Sequence, residues 1–276
     1  MATLVCFHAH PDDEAIATGG TMARAAAEGH RVVLAVATDG LHGEVPDDLA
    51  PGESLADRRR DETLASADAL GIHRIEFFDY IDSGMNGWDA NGYEHAFINV
   101  DLDQAAGRLA DLLVEEQADV LTIYDWHGGY GHPDHVQVHR VGCRAEELVR
   151  DRLPGLRVLE STMNRDEMRR GVEMMKEMGV DELGPDADDE GEFDPDGPMD
   201  DGNPMGTPEA ELTLGIDVRG FLAHKRASIT AHASQVSDSS FFVNMPDEMF
   251  ALAFGLEWFI EHDRRPPMRM AWIFDD

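Results

Sequence analysis

Two stretches hold residue types that combine into hydrolytic chemistry. In FHAHPDDEAIATGG (7–20), His10, Asp12 and Asp13 follow directly on a short apolar run. Histidine, proline and paired aspartates are poor material for a strand or a helix interior, so their presence there asks for a chemical reason. Zinc takes imidazole nitrogens and carboxylate oxygens, and a catalytic zinc keeps three protein ligands beside a water. His10 and Asp13 can supply two of them. Asp12 is left over, one residue from a ligand, where it could take a proton from that water. The second stretch is YDWHGGYGHPDHVQVH (124–139). Gly128, Gly129 and Gly131 let the backbone turn tightly and approach a ligand. His132 and His135, spaced i and i+3, can face one cavity. One can complete the metal site while the other reaches the substrate. A lone HxxD carries little weight; a second cluster after a glycine loop predicts a metal site.

The elements around these stretches give them a common address. Thr3 to His8, Arg31 to Thr38, Arg74 to Phe78, Asp119 to Tyr124 and Leu156 to Thr162 read as strands. The continuous apolar run RVVLAVAT marks a strand covered on both faces. Between them, Asp13 to Glu28, Glu53 to Leu70, Val100 to Glu116 and Pro133 to Arg150 read as helices, the last with proline in its first turn. This alternation predicts an α/β fold, a Rossmann-like, mostly parallel sheet flanked by helices. Ligands of such sheets bind beyond the carboxyl ends of the strands, where both clusters fall. Farther on, a helix is expected from Val218 to about Ala233 and another from Pro246 to Gly255. Leu256 to Ile260 and Met270 to Phe274 read as strand-like. The methionines of MNRDEMRRGVEMMKEM read as a packing face.

The chain has 276 residues, 42% of them hydrophobic, which suits one domain over 1–276 with an insertion. The insertion is placed at 181–210. Its first part, Asp181 to Asp201, holds 11 acids and no base and reads as a flexible, solvated loop without EF-hand spacing. The formal net charge of −34, with Lys176 and Lys225 the only lysines, excludes nucleic acid as a partner. No run reaches the ~20 apolar residues of a membrane span, and MATLVCFHAHPDDE lacks a basic n-region. The expectation is a cytoplasmic protein with two free thiols, Cys6 and Cys143, and no membrane partner.

The motifs also carry a resemblance. AHPDDE (9–14) followed by GG, and GGYGHPDH (128–135), resemble the signatures of the LmbE/PIG-L family of zinc-dependent deacetylases. RRDETLASADALGI (59–72), DSGM (82–85) and HKRASITAHASQV (224–236) are similar to the branch that contains mycothiol biosynthesis deacetylase and mycothiol S-conjugate amidase. The likeness spans 3–162 and 212–260 and skips the acidic stretch. It implies that His10, Asp13 and His135 hold zinc, with iron(II) able to take the same ligands. It makes Asp12 the general base, and His132 the group that stabilises the oxyanion or protonates the leaving amine. Asp134 would orient His132, and Tyr130 would close over the substrate and polarise its carbonyl. Arg59, Asp82 and Glu44 would contact substrate hydroxyls.

The implied activity is hydrolysis of a linear amide: removal of an N-acyl group, N-acetyl foremost, from an amino sugar or glycoconjugate. Cleavage of a thiol conjugate is the alternative within the same chemistry, and a non-catalytic sugar- or metal-binding protein is the third reading. The partner is a small molecule, and a homo-oligomer stays open. The other histidines get structural readings. His8 and His139 support their neighbours, and His232 either borders the cavity or caps a helix. His30, His42, His73, His95 and His262 lie at the surface or in loops. Trp88 and Trp126 are placed beside the motifs, where they could stack on a sugar.

Overall fold

The computed structural model describes residues 1–177, 194–236 and 241–275. The chain builds β1 (Thr3–His8), α1 (Asp13–Ala17), α2 (Gly19–Ala27), β2 (Arg31–Thr38), α3 (Leu55–Leu70), β3 (Arg74–Tyr80), α4 (Leu102–Glu116), β4 (Val120–Tyr124), α5 (Pro133–Val149) and β5 (Arg157–Thr162). It continues with α6 (Arg165–Glu177), β6 (Leu214–Asp217), α7 (Leu222–Ala231), α8 (Phe241–Asn244), α9 (Asp247–Phe254), β7 (Leu256–Glu261) and β8 (Arg269–Met270).

These strands form one sheet in the order β3-β2-β1-β4-β5-β7-β6-β8. The pairings from β3 through β5 are all parallel, and β7 runs antiparallel to both β5 and β6. The expected mostly parallel, Rossmann-like sheet is therefore present. β1 has β2 on one side and β4 on the other, so the strand order reverses between β1 and β4. That reversal opens a crevice at their carboxyl ends.

Alternation along β1 fixes both layers. Val5 and Phe7 point into a core shared with Leu109, Leu113, Val138 and Val141 of α4 and α5. Leu4 and Cys6 point the other way, toward Met22 of α2, Leu70 of α3, and Phe259 and Trp272. A Ser54–Asp57 capping box starts α3, and Gly71, in the left-handed region, ends it.

Three expectations change. The single helix over Asp13–Glu28 is two, broken at Thr18. There the Thr18 hydroxyl bonds His8 Nε2 at 2.8 Å. The second helix restarts on a buried carboxylate: Glu257 accepts the N–H groups of Gly20 and Thr21 at 2.8 and 2.9 Å. Lys225 closes the group, 2.6 Å from Glu257 Oε1, with both side chains buried. Second, Met270–Phe274 is a strand only at Arg269–Met270. Beyond it the Trp272 N–H turns to the Asp275 carboxylate, and Trp272 and Ile273 pack into the core. Third, the methionine run is only partly a packing face among the described residues: Met163 and Met168 are half-buried, Met174 is exposed, and Met178 lies outside the described residues.

Residues 181–193 of the acidic segment lie outside the described residues. Residues 194–210 are turns and short bridges, joined to α6 by the Arg169–Asp196 pair and to β4 and β5 through buried Thr207. Among the described residues no helix is long and apolar enough to cross a membrane.

Candidate active site

β1 and β4 are adjacent and parallel, so the loops that leave them meet over the crevice. His10 and Asp13 come from the first loop, and His132, Asp134 and His135 from the second. Asp13 Oδ2 lies 3.2 Å from His10 Nδ1 and 3.3 Å from His135 Nε2. Two ligands on a tetrahedral ion with bonds of about 2.05 Å stand about 3.3 Å apart. His135 Nδ1 faces the Gly128 carbonyl at 3.1 Å, which puts the proton on Nδ1 and the lone pair on Nε2. That Nε2 is buried and has no hydrogen-bond partner among the described residues. An orphaned imidazole nitrogen aimed at a carboxylate fits a divalent cation. His10, His132 and His135 also bring one nitrogen each within 4.8 Å of the others, so His132 borders the same space. Burial pushes the Asp13 carboxyl up, but the His135 and His10 imidazoles outweigh it and hold the group well below the usual carboxylate range.

Two glycines make the loop. Gly128 has φ +69°, and a Cβ there would fall 2.4 Å from that of His135. Gly131 has φ +91°, and its Cβ would fall 2.6 Å from Asp201 Cγ. Only glycine fits both demands at either position. Tyr130 lies between them, half-buried, with its ring 5.0 Å from His135 and 6.2 Å from His132. Burial pushes its hydroxyl well up, so it stays a donor.

His132 is the N-cap of α5, and its Nδ1 accepts the Asp134 N–H at 3.1 Å. A ring that accepts there is neutral and keeps its proton on Nε2. Burial, reinforced by His10, pushes its pKa down to about 2. The expected carboxylate support from Asp134 to His132 is not what the structure has. Because the backbone of Asp134 serves His132, its carboxylate is free to cross the crevice. Asp134 Oδ2 accepts the Ser83 N–H at 2.9 Å and lies 3.3 Å from His10 Nε2.

Asp12 sits at φ +115°, a strained position for a residue with a Cβ. Glu14 holds it there by accepting the Asp12 N–H at 3.0 Å. Arg59 holds its side chain, with Nη2 3.0 Å from Asp12 Oδ2. Burial pushes the Asp12 carboxyl up, and the Arg59 charge opposes that rise.

Arg59 and Asp82, expected at substrate hydroxyls, are each only 3% exposed. The Arg59 guanidinium donates to the carbonyls of Gly40 and Pro11. Asp82 accepts the N–H groups of His42 and Gly84 and lies 3.6 Å from His10 Nε2. Both therefore face protein groups. Glu44 is exposed, its backbone paired with Gln235. Trp88 and Trp126 are exposed loop residues.

Support residues were only partly legible. His8 bonds Tyr124 and Thr18, and the Tyr124 ring stacks on His135 at 4.3 Å. His232 is fully buried on Glu14, 2.6 Å away, and Ser66 also binds Glu14. Glu14 was missed as a support residue, although it ends the AHPDDE motif. His127 and Asp201 were missed as well: His127 is buried, with Nδ1 3.5 Å from Asp201 Oδ2. Nothing in the sequence pairs those two positions.

Comparison with known proteins identifies the family. The PIG-L family profile, described as GlcNAc-PI de-N-acetylase, matches residues 5–146. A 1D-myo-inositol 2-acetamido-2-deoxy-alpha-D-glucopyranoside deacetylase of Acidothermus cellulolyticus is 37% identical, over 94% of this chain and 88% of its own length. The N,N'-diacetylchitobiose deacetylase structure from Pyrococcus horikoshii superposes with a TM-score of 0.60 at 20% identity, covering 94% of this chain and 83% of that one. GalB, the 4-carboxy-2-hydroxymuconate hydratase of Pseudomonas putida KT2440, has a TM-score of 0.57 at 16% identity, covering 98% and 100%. The fold alone thus serves more than one reaction, and the long sequence match decides between them. The chain belongs to the PIG-L family of de-N-acetylases and is an amide hydrolase.

Proposed function

We propose that this enzyme removes the N-acetyl group from an N-acetylglucosaminyl glycoconjugate, with an N-acetylglucosaminyl inositol as the preferred substrate. The meeting of His10, Asp13 and His135 beside Asp12, with the orphaned His135 Nε2, carries the reading. The likeness to deacetylases named for the inositol glycoside supports the substrate. His10, Asp13 and His135 are the proposed ligands of zinc, and iron(II) suits the same donors. When bound there, the ion polarises the amide carbonyl and makes water more acidic.

The chain's own residues do the rest. Asp12, aimed by Arg59 and Glu14, takes the proton of the attacking water. Attack places negative charge on the former carbonyl oxygen, where Tyr130 OH and His132 Nε2–H can donate. The leaving amine must acquire a proton, and the carboxyl of Asp12, now protonated, can return it, while the neutral His132 keeps its Nε2–H for the oxyanion. Asp134 and Asp82 hold His10 from behind, an arrangement that keeps the ring oriented and basic. Glu44, exposed on the loop above Arg59, is the proposed contact to a sugar hydroxyl. Arg59 and Asp82 act by positioning Asp12 and His10. We read 1–276 as one catalytic domain carrying the 181–210 insertion, and its two free thiols suit the cytoplasm.

The test is release of primary amine and acetate by metal-loaded protein. N-acetylglucosaminyl inositol, N,N'-diacetylchitobiose and a thiol-conjugate amide are compared at equal concentration. The inositol glycoside should give the highest kcat/KM. Preference for the thiol conjugate would replace the substrate assignment, and no release from any of the three would overturn the function.

A further inference from the structure

Behind the catalytic crevice, α5 carries a second set of donors that deacetylation leaves unused. His139 and Cys143 are spaced i and i+4 and share one face of the helix. His139 Nε2 lies 3.6 Å from Cys143 Sγ. His139 Nδ1 faces the Tyr124 carbonyl at 3.1 Å, so the proton is on Nδ1 and the Nε2 lone pair is turned toward the sulfur. Glu160 arrives from β5, with Oε1 3.5 Å from His139 Nδ1 and 2.9 Å from His262 Nε2. His262 follows β7, and its Nδ1 meets Glu146 of α5 at 2.8 Å. One donor atom each from His139, Cys143 and Glu160 lies within 4.8 Å of the other two.

We propose that His139, Cys143 and Glu160 form a second divalent-cation site, of the zinc class, that ties α5 to β5, with His262 at the end of β7 holding Glu160 from behind. The donor set selects the ion. An imidazole, a thiolate and a carboxylate suit zinc and cobalt, whereas magnesium and calcium take oxygen ligands. The spacing agrees: bonds of about 2.05 Å to nitrogen and 2.3 Å to sulfur at a tetrahedral angle hold the two atoms about 3.6 Å apart. A cavity of about 430 Å³ lined by Glu146, Arg157, Glu261 and His262 opens on the His262 side of Glu160.

Without an ion, protons do the bridging. Burial pushes the Cys143 thiol up to about 12. Bonds to Glu146 and Glu160 push His262 up to about 10, so its imidazolium links the two carboxylates. Ligation releases the Cys143 thiol proton to solvent.

Stepwise addition of cobalt(II) to chelator-treated full-length protein tests this without any activity assay. Thiolate ligation gives an intense sulfur-to-cobalt charge-transfer band in the near ultraviolet. The His10, Asp13 and His135 centre has no sulfur and cannot produce it. Two equivalents should bind, with the band belonging to one of them. Cys143→Ser should abolish the band and leave one equivalent, whereas Cys6→Ser should keep both. His262→Gln should weaken the band-forming equivalent at least about tenfold, the loss expected when the partner that orients a ligand, here Glu160, is removed. A single equivalent with no band overturns the proposal. So does a band that survives in Cys143→Ser, or an unchanged affinity in His262→Gln.

Discussion

Replacing Asp12 with asparagine separates catalysis from architecture. The substitution keeps the side-chain volume and leaves a carbonyl oxygen for Arg59, 3.0 Å away in the native protein. The residue sits at φ +115°, which costs about 1–3 kcal/mol wherever a Cβ is present, so that cost carries over to asparagine. The attraction to Arg59 is lost, but so is the burial penalty on the charge, and the two oppose each other. A net stability change within about 1 kcal/mol is expected, because Arg59 retains its bonds to Gly40 and Pro11. What disappears is the base. A positioned general base contributes about 10²–10⁴-fold, or roughly 3–5.5 kcal/mol of barrier. Metal-loaded Asp12→Asn should therefore show kcat reduced by that factor, KM changed only slightly, unfolding in urea within about 1 kcal/mol of the native protein and full metal content. A kcat within tenfold of the native enzyme would refute the role of Asp12. Loss of metal together with activity would move Asp12 into the ligand set.

Three further outcomes follow from particular contacts. Gly131→Ala puts a Cβ 2.6 Å from Asp201 Cγ at φ +91°, so it should cost about 1–3 kcal/mol in urea unfolding and lower kcat/KM by displacing the Tyr130 loop. Adding Asp201→Ala should recover part of both losses; a silent Gly131→Ala would show that the contact does not position the loop. Glu257→Gln strands the buried Lys225 ammonium, so unfolding should become easier by about 3–5 kcal/mol while kcat of the folded fraction is unchanged. A loss below about 1 kcal/mol would mean that Lys225 finds another partner. In chelator-treated protein, His262 has its folded pKa raised to about 10, above the unfolded value of about 6.5. Its stabilising effect is complete below about pH 6.5 and is lost as pH rises toward 10. His262→Gln should remove that part of the alkaline decline in urea midpoint, and identical pH profiles would contradict it.

Much of the scaffold was legible because local chemistry and the fold agree. RVVLAVAT can only be a strand covered on both sides, and the helix read from Glu53 to Leu70 is present from Leu55. The clusters at 10–13 and 132–135 could be placed at one sheet edge because each follows a parallel strand. What stayed hidden depends on long-range partners. The break at Thr18 is set by His8 and by Glu257, a residue far away in sequence. The burial of Arg59 comes from carbonyls on two loops, which no spacing rule anticipates. The Asp134 carboxylate turns to His10 because its backbone N–H is already committed to His132, a division of labour visible only in three dimensions. His127 and Asp201 meet across segments that no motif connects.

The central claim is that the two loops grip one ion through His10, Asp13 and His135. An anomalous difference map at the zinc absorption edge, from crystals of the zinc-loaded protein, tests it directly. The account predicts a peak about 2.0–2.2 Å from a His10 nitrogen, an Asp13 oxygen and His135 Nε2. A crevice ion that stands beyond bonding distance of any of these residues would contradict it.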